Sequence, residues 1–204
     1  MTSDIPQVTS SGRSVLNAWK TFRSHVDFRY LWIIPIASLS FILLSFAPID
    51  PLVQKEYLEM IAIPLAGLTW VACMIHLSYV KTPFFIILSY LTFAFFMREI
   101  HFPGAKAFCY VSLVAVFVWA WIWREKIQPE LNDRKLMTWL FTAFVTYGWS
   151  QFVARKGLEF IPNELFFHEA LEEGSENLGH ILMLITSLSG TWTPMEGGGD
   201  PTDS

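Results

Sequence analysis

Charge is scarce in this sequence. Only 16% of its 204 residues are charged and 53% are hydrophobic, whereas a soluble domain carries about 25% charged residues. Apolar runs of about twenty residues, the length that crosses a hydrocarbon core about 30 Å thick, recur along the chain. The scarcity of charge excludes an ordinary soluble domain. The sequence therefore predicts an all-α polytopic transmembrane helix bundle.

Cysteines, basic clusters and paired histidines are also few. Cys73 and Cys109 both lie inside apolar runs, which leaves neither a disulfide framework nor a CxxC metal motif. No basic block interleaved with aromatic residues is present, so nucleic acid is excluded as a partner. The sequence has no set of four histidines on two helices, so haem is not expected. It also has no lysine deep in a span, so retinal is not expected. The sequence before the first apolar run lacks the apolar core of a cleavable signal peptide.

Six apolar segments predict membrane-spanning helices. An amphipathic acidic helix is expected directly before the last of them. Most of the prolines lie between the segments or at their ends, where proline disrupts a helix least. The chain divides into a cytoplasmic N-terminal segment at 1–29, a transmembrane helical domain at 30–192, and a glycine-, proline- and acid-rich tail at 193–204 that is expected to be disordered. The predicted spans lie at about 30–47, 57–80, 83–100, 104–123, 136–154 and 173–192.

The distribution of lysine and arginine predicts the orientation. With the N-terminus in the cytoplasm, nine of the 14 basic residues fall on the cytoplasmic side and five on the other, in the sense of the positive-inside rule. We therefore expect a bacterial inner-membrane protein with both termini in the cytoplasm. In this topology the end of the third span and the start of the sixth meet at the outer face.

The stretch HEALEEGSENLGHILMLI, at 168–185, carries unusual ionisable material for a membrane segment. On a helix, Glu169, Glu173, Glu176 and His180 lie within about 60° of one another. Two carboxylates and an imidazole on one face are typical of helices that supply metal ligands to a bundle. Ionisable groups inside a membrane are expensive and indicate function.

The same reasoning assigns roles to the individual residues. The predicted metal ligands are Glu173, Glu176 and His180, joined by His101 or Glu99 from the end of the third span. The metal is predicted to be zinc, manganese or iron. Glu172 and Glu99 are the predicted catalytic residues, with Glu172 as the general base on a metal-bound water.

Like charges one turn apart repel each other, so the acidic stripe needs compensation. A divalent metal, protons, Arg98 or Arg155 can provide it. We expect Arg98 to lie within ion-pair reach of Glu173 or Glu176, because both polar stretches meet the same membrane face.

Two plainer interpretations stand beside the site. Glu164, Glu169 and Glu172 are also compatible with a solvated amphipathic helix at the interface, since acidic residues favour the first turn of a helix. A row of hydroxyl residues at i+4 intervals on the fifth span could line a path, but such residues usually bond to carbonyls of their own helix. The row consists of Thr138, Thr142, Thr146 and Ser150.

At FFMREIHFPG and LEEGSENLGHILML the sequence resembles a group of uncharacterised bacterial integral membrane proteins. In these, an R-E-x-D-F-H-like motif ends one span and an E-E-x-x-E motif opens a later one. The resemblance implies that Arg98, Glu99, Glu172, Glu173 and Glu176 belong to a shared site. This chain departs from the pattern in having no aspartate in the first motif.

Three functions are consistent with these observations. The leading hypothesis is a metal-dependent membrane hydrolase that acts on a lipid-type substrate, with a Glu/His divalent-cation site at the outer membrane boundary. The second is a proton- or cation-coupled transporter, which would work as an oligomer because the chain is short for a complete carrier. The third is a non-catalytic membrane subunit or assembly factor whose acidic helix docks a basic protein partner.

Overall fold

A computed structural model describes residues 23–46 and 54–192 of the chain, and in those ranges it contains helices and no strand. The all-α fold class predicted from the sequence is confirmed. A 3-10 turn at Phe28–Trp32 precedes the first helix, and short helical segments lie at Gln128–Leu131 and Glu164–Phe166. The predicted tail at 193–204, and all but the last residues of the segment 1–29, fall outside the described residues. The six long helices are α1 (Ile33–Ser45), α2 (Lys55–Val80), α3 (Pro83–Glu99), α4 (Ala105–Ile122), α5 (Arg134–Ala154) and α6 (His168–Leu188).

The helix boundaries follow from local sequence. Pro83 occupies the first turn of α3, where the missing N–H costs no hydrogen bond. Asp133 caps α5 by accepting hydrogen bonds from the backbone N–H groups of Lys135 and Leu136. Beyond the end of α6, Gly190 has a φ of 98°, a conformation that glycine adopts readily.

One prediction about these boundaries needs correction. The acidic stretch and the last apolar segment were expected to be two elements, with a span that begins at residue 173, but they form the single helix α6. The stretch contains no proline, and Gly174 and Gly179 both remain helical. Nothing in the sequence therefore interrupts the helix between His168 and Leu188.

Helix α6 is the central helix of the bundle. It packs against α5, α2 and α1, while α3 packs between α2 and α4. The side-chain amide of Asn177 donates a hydrogen bond of 2.9 Å to the carbonyl oxygen of Leu58 on α2. Small residues permit this close packing: the Cα of Gly174 faces the ring of Phe41, and that of Gly179 faces the ring of Tyr147. The part of α6 that carries Glu173 and Glu176 therefore lies inside the bundle.

Three helical segments are long and apolar enough to cross a membrane by length and composition, namely Phe28–Ser45, Lys55–Val80 and Ala105–Ile122. Their outward faces expose large apolar side chains such as Leu43, Val111 and Trp121. The other long helices are more polar or shorter: α6 buries ionisable residues, and α3 has 17 residues. These features indicate a membrane protein.

The hydroxyl row of α5 is buried, and most of it bonds to its own helix. The hydroxyls of Thr138, Thr142 and Thr146 donate to the carbonyl oxygens four residues earlier at 2.7, 2.7 and 2.8 Å. Within this row, only the hydroxyl of Ser150 lacks a hydrogen-bond partner among the described residues. These contacts fit the plainer of the two interpretations, in which the hydroxyl groups bond to their own helix and do not line a path.

Two glycines provide a matched test of the packing. A Cβ at Gly148 would meet no atom within 4 Å, whereas a Cβ at Gly179 would lie 2.8 Å from the Tyr147 ring. We expect Gly148→Ala to raise the free energy of unfolding by about 0.5–1 kcal/mol, because alanine loses less backbone entropy in a helix. Gly179→Ala should lower it by about 1–3 kcal/mol through overpacking. Denaturant unfolding in detergent measures both, and equal effects of the two substitutions would contradict the described α5–α6 packing.

Candidate metal centre

The last turn of α3 and the middle of α6 bring three ionisable side chains together. Glu99, Glu176 and His180 each offer one ligand atom, and these atoms all lie within 4.8 Å of one another. All three residues are buried, with His180 only 1% exposed. Residues 176 and 180 share a helix face because they are four positions apart. The third residue comes from a different helix, so tertiary packing completes the group.

Two of the three atoms that face one another in this group lack hydrogen bonds. The Oε1 of Glu99 and the Nε2 of His180 are buried and have no hydrogen-bond partner among the described residues, whereas the Oε1 of Glu176 is contacted by the guanidinium of Arg98. The Nε2 of His180 lies 3.6 Å from the Oε1 of Glu99. Buried polar atoms are nearly always satisfied, so the unpaired atoms of Glu99 and His180 at one point indicate a site for an ion, a proton or water.

His180 is held in place from its other ring nitrogen. The hydroxyl of Tyr147 lies 2.8 Å from Nδ1, and the two rings meet edge to face. If Nδ1 carries the proton, it donates to the Tyr147 oxygen and leaves the lone pair of Nε2 free. That tautomer is the one a metal ligand needs, and an outer hydrogen bond of this kind fixes it.

Arg98 supplies positive charge to the group. Its guanidinium forms an ion pair with Glu176, and its Nε lies 3.9 Å from the Oε1 of Glu99. The ion pair predicted between Arg98 and the acidic stripe is therefore present, with Glu176 as the partner. Since the Glu176 side chain is only 6% exposed, its charge requires such compensation.

The other predicted site residues lie around this group. Glu173 lies 3.9 Å from Lys55 of α2 and is outside the group of three. Glu172 lies 3.3 Å from the Nε2 of His168, whose Nδ1 contacts Glu164. Glu172 and Glu173 are nevertheless close to the group of three, because they line a cavity together with Glu99 and Glu176.

His101 also lies outside the group of three. Its Nδ1 donates to the carbonyl oxygen of Glu99 at 2.6 Å. Its backbone has a φ of 56°, in the left-handed region at the end of α3. Glu99, predicted from the sequence as a catalytic residue or as the alternative to His101 among the ligands, lies in the group of three instead.

Two cavities adjoin the centre. The smaller, of about 390 Å³, is lined by both carboxylates of the group together with Glu172, Glu173 and His101. The larger, of about 510 Å³, lies between α3, α4 and α5 and includes Tyr147 in its lining. Arg98, Lys106 and Glu172 line both cavities. A molecule in either cavity therefore lies beside the centre.

Sequence reasoning missed Tyr147 and Lys55. A tyrosine inside an apolar run is a weak signal, but its hydroxyl needs a partner when it is buried, and this requirement points towards a polar group on a neighbouring helix. Lys55 precedes the predicted span at 57–80 and carried no pattern of its own. Its contact with Glu173 depends on how α2 packs against α6.

Comparison of the chain with protein-family models, with curated proteins and with solved structures finds no match. The resemblance to bacterial membrane proteins with the two glutamate-containing motifs therefore stays a prediction.

The Arg98–Glu176 pair can be tested by a double-mutant cycle. Arg98→Ala leaves a buried carboxylate without its partner and should lower the free energy of unfolding by about 3 kcal/mol. Combining it with Glu176→Gln should recover part of that loss, because the uncompensated charge is then absent. Denaturant unfolding in detergent gives all four values.

Lys55→Ala is the matched control for this cycle. The Lys55 side chain is 46% exposed, so the loss of its contact with Glu173 should cost at most about 1 kcal/mol. Strictly additive effects of the Arg98 and Glu176 substitutions would show that the two side chains do not interact.

Proposed function

We propose that the chain is a multi-pass membrane hydrolase that holds a divalent cation with Glu99, Glu176 and His180. All six long helices cross the membrane, both termini lie in the cytoplasm of a bacterial cell, and the cation site lies at the outer boundary. The substrate is a lipid or a lipid-linked ester. Zinc, manganese and iron suit a site of two carboxylates and one imidazole.

One observation carries this proposal: three buried ligand atoms from two helices converge at one point, and those of Glu99 and His180 have no hydrogen-bond partner among the described residues. Three protein ligands are what a catalytic metal site uses, because the remaining position is left for water or substrate. The contact between Tyr147 and Nδ1 of His180 supplies the outer hydrogen bond that such ligands usually have.

The charge around the smaller cavity supports a cation. Five glutamates and three basic residues line it, which gives a net charge of −2 when all are ionised, and a divalent cation balances this charge. In the absence of metal, the guanidinium of Arg98 pairs with Glu176. A cation can therefore bind to Glu176 only when the guanidinium withdraws towards the cavity.

The surface of the bundle supports membrane insertion. Large apolar side chains are exposed on α1, α2 and α4 while carboxylates are buried inside, the reverse of a soluble protein. Exposed apolar faces of this extent suit lipid contact. The predicted oligomer of the transport hypothesis is not required by a hydrolase.

A bound cation would supply activated water at neutral pH. Glu172 lies in the same cavity as the two ligand carboxylates, with a side chain that is 25% exposed, and it accepts the proton of the attacking water. The oxygen of that water forms the new bond to the ester centre while the bond to the alcohol oxygen breaks, and the alcohol oxygen takes up the proton from Glu172.

Metal binding is the direct test of the site. Protein stripped with a chelator should bind one zinc, manganese or iron(II) ion per chain, as measured by calorimetry and by elemental mass spectrometry. Glu99→Gln, Glu176→Gln and His180→Ala should each weaken binding by more than the about 10- to 100-fold typical of outer-sphere changes. Tyr147→Phe should weaken it by about 10- to 100-fold.

Glu169→Gln is the control, since Glu169 is exposed on the same helix and takes no part in the group. Circular dichroism establishes that each variant is folded. Folded protein that binds none of the three metals, or binds them equally well in all variants, overturns the site. Lipid-ester turnover without an ion gradient favours the hydrolase, and gradient-dependent flux in proteoliposomes favours the transporter.

A further inference from the structure

The larger cavity differs in chemistry from the smaller one. Its inner wall is formed by apolar side chains, among them Phe95, Leu113 and Phe144. Phe117 also lines it and is 66% exposed, so the cavity reaches the outer surface of the bundle beside α4. Clefts of about 300–1,000 Å³ with apolar walls and a few polar groups are typical of ligand sites.

Positive charge is concentrated at the polar end of this cavity. Lys106 and Arg155 line it, and neither forms an ion pair with any residue in the described ranges. Arg98 also lines it but is engaged by Glu176. Arg98, Lys106 and Arg155 against the carboxylate of Glu172 give the lining a net charge of +2. This charge beside an apolar wall complements an amphiphile with about two negative charges.

We propose that this cavity binds a lipid phosphate monoester, with the phosphate at Lys106 and Arg155 and the hydrocarbon chain along the apolar wall. A phosphate monoester carries about −1.5 to −2 charges near pH 7, which matches the net charge of the lining. Lysine and arginine form charge-assisted hydrogen bonds with phosphate oxygens. The side opening near Phe117 lets the chain enter from the bilayer.

This site deepens the proposed function, and it rests on that function only in treating the bound lipid as the substrate. Lys106, Arg98 and Glu172 line both cavities. The phosphate would therefore lie at the junction between the larger cavity and the cation site. An activated water in the smaller cavity could then reach the ester.

Lipid binding can be measured without metal or turnover. We would titrate chelator-treated protein in non-ionic detergent with dioctanoyl phosphatidic acid, dioctanoyl phosphatidylcholine and inorganic phosphate. The phosphatidic acid should bind at least about tenfold more tightly than either of the others, because only it offers both the charge and the chain. Lys106→Gln and Arg155→Gln should each weaken its binding about tenfold.

Two further variants separate charge from shape. Lys135→Gln removes an exposed cation at the opposite end of α5 and should leave binding unchanged. Gly148→Leu places a side chain in open space in the wall of the cavity and should weaken binding of the lipid, because it occupies the path of the chain.

The outcomes distinguish the two proposals. Equal affinity for phosphatidic acid and phosphatidylcholine, or for phosphatidic acid and inorganic phosphate, overturns the lipid phosphate site, as does unchanged binding in both the Lys106 and Arg155 variants. Specific lipid binding by a protein that takes up no metal supports the lipid site and overturns the hydrolase. Metal binding without lipid binding overturns the lipid site and supports the cation site of the hydrolase.

Discussion

The ion pair between Arg98 and Glu176 is the contact on which the arrangement of the bundle interior depends. Burying a carboxylate is expensive unless an opposite charge accompanies it. Glu99 and Glu176 lie close together near the end of α3, and the guanidinium reaches both of them. Without this compensation, two buried negative charges would drive α3 and α6 apart. With it, the two most polar stretches of the chain can share one end of the bundle.

The position of α6 explains how a helix of this bundle carries so many polar groups. The helix is surrounded by α1, α2 and α5, so Glu173, Glu176 and His180 are buried among protein side chains. Gly174 and Gly179 let Phe41 and Tyr147 approach closely, and the latter contact places the Tyr147 hydroxyl on His180. The requirement for close packing and the requirement for an oriented imidazole are therefore met by the same region of the helix.

Much of this arrangement could be predicted from the sequence. The hydropathy pattern and the prolines located all six long helices to within a few residues, except at the start of α6, because hydrophobic length is a strong local signal. The helical period placed Glu176 and His180 on one face, and the alternating direction of successive helices placed Arg98 at the same end.

The identity of the third group member was harder to predict. Glu99 and His101 are two residues apart, and the choice between them depends on the left-handed backbone of residue 101, which directs its ring to a carbonyl oxygen of its own segment. Likewise, Glu173 shares a helix face with Glu176 and His180 by the helical period but packs towards Lys55. Both outcomes are set by contacts between helices, which no periodicity in a single helix reveals.

X-ray absorption spectroscopy of zinc-loaded protein tests the central claim most directly, because it reports the atoms that surround the ion. The account predicts one imidazole nitrogen at about 2.0–2.1 Å and carboxylate oxygens at about 2.0–2.2 Å. The imidazole signal should disappear in His180→Ala and persist in a variant of the half-buried His25, which lies outside the group. A spectrum without imidazole scattering, or one that His180→Ala leaves unchanged, would contradict a metal centre at Glu99, Glu176 and His180.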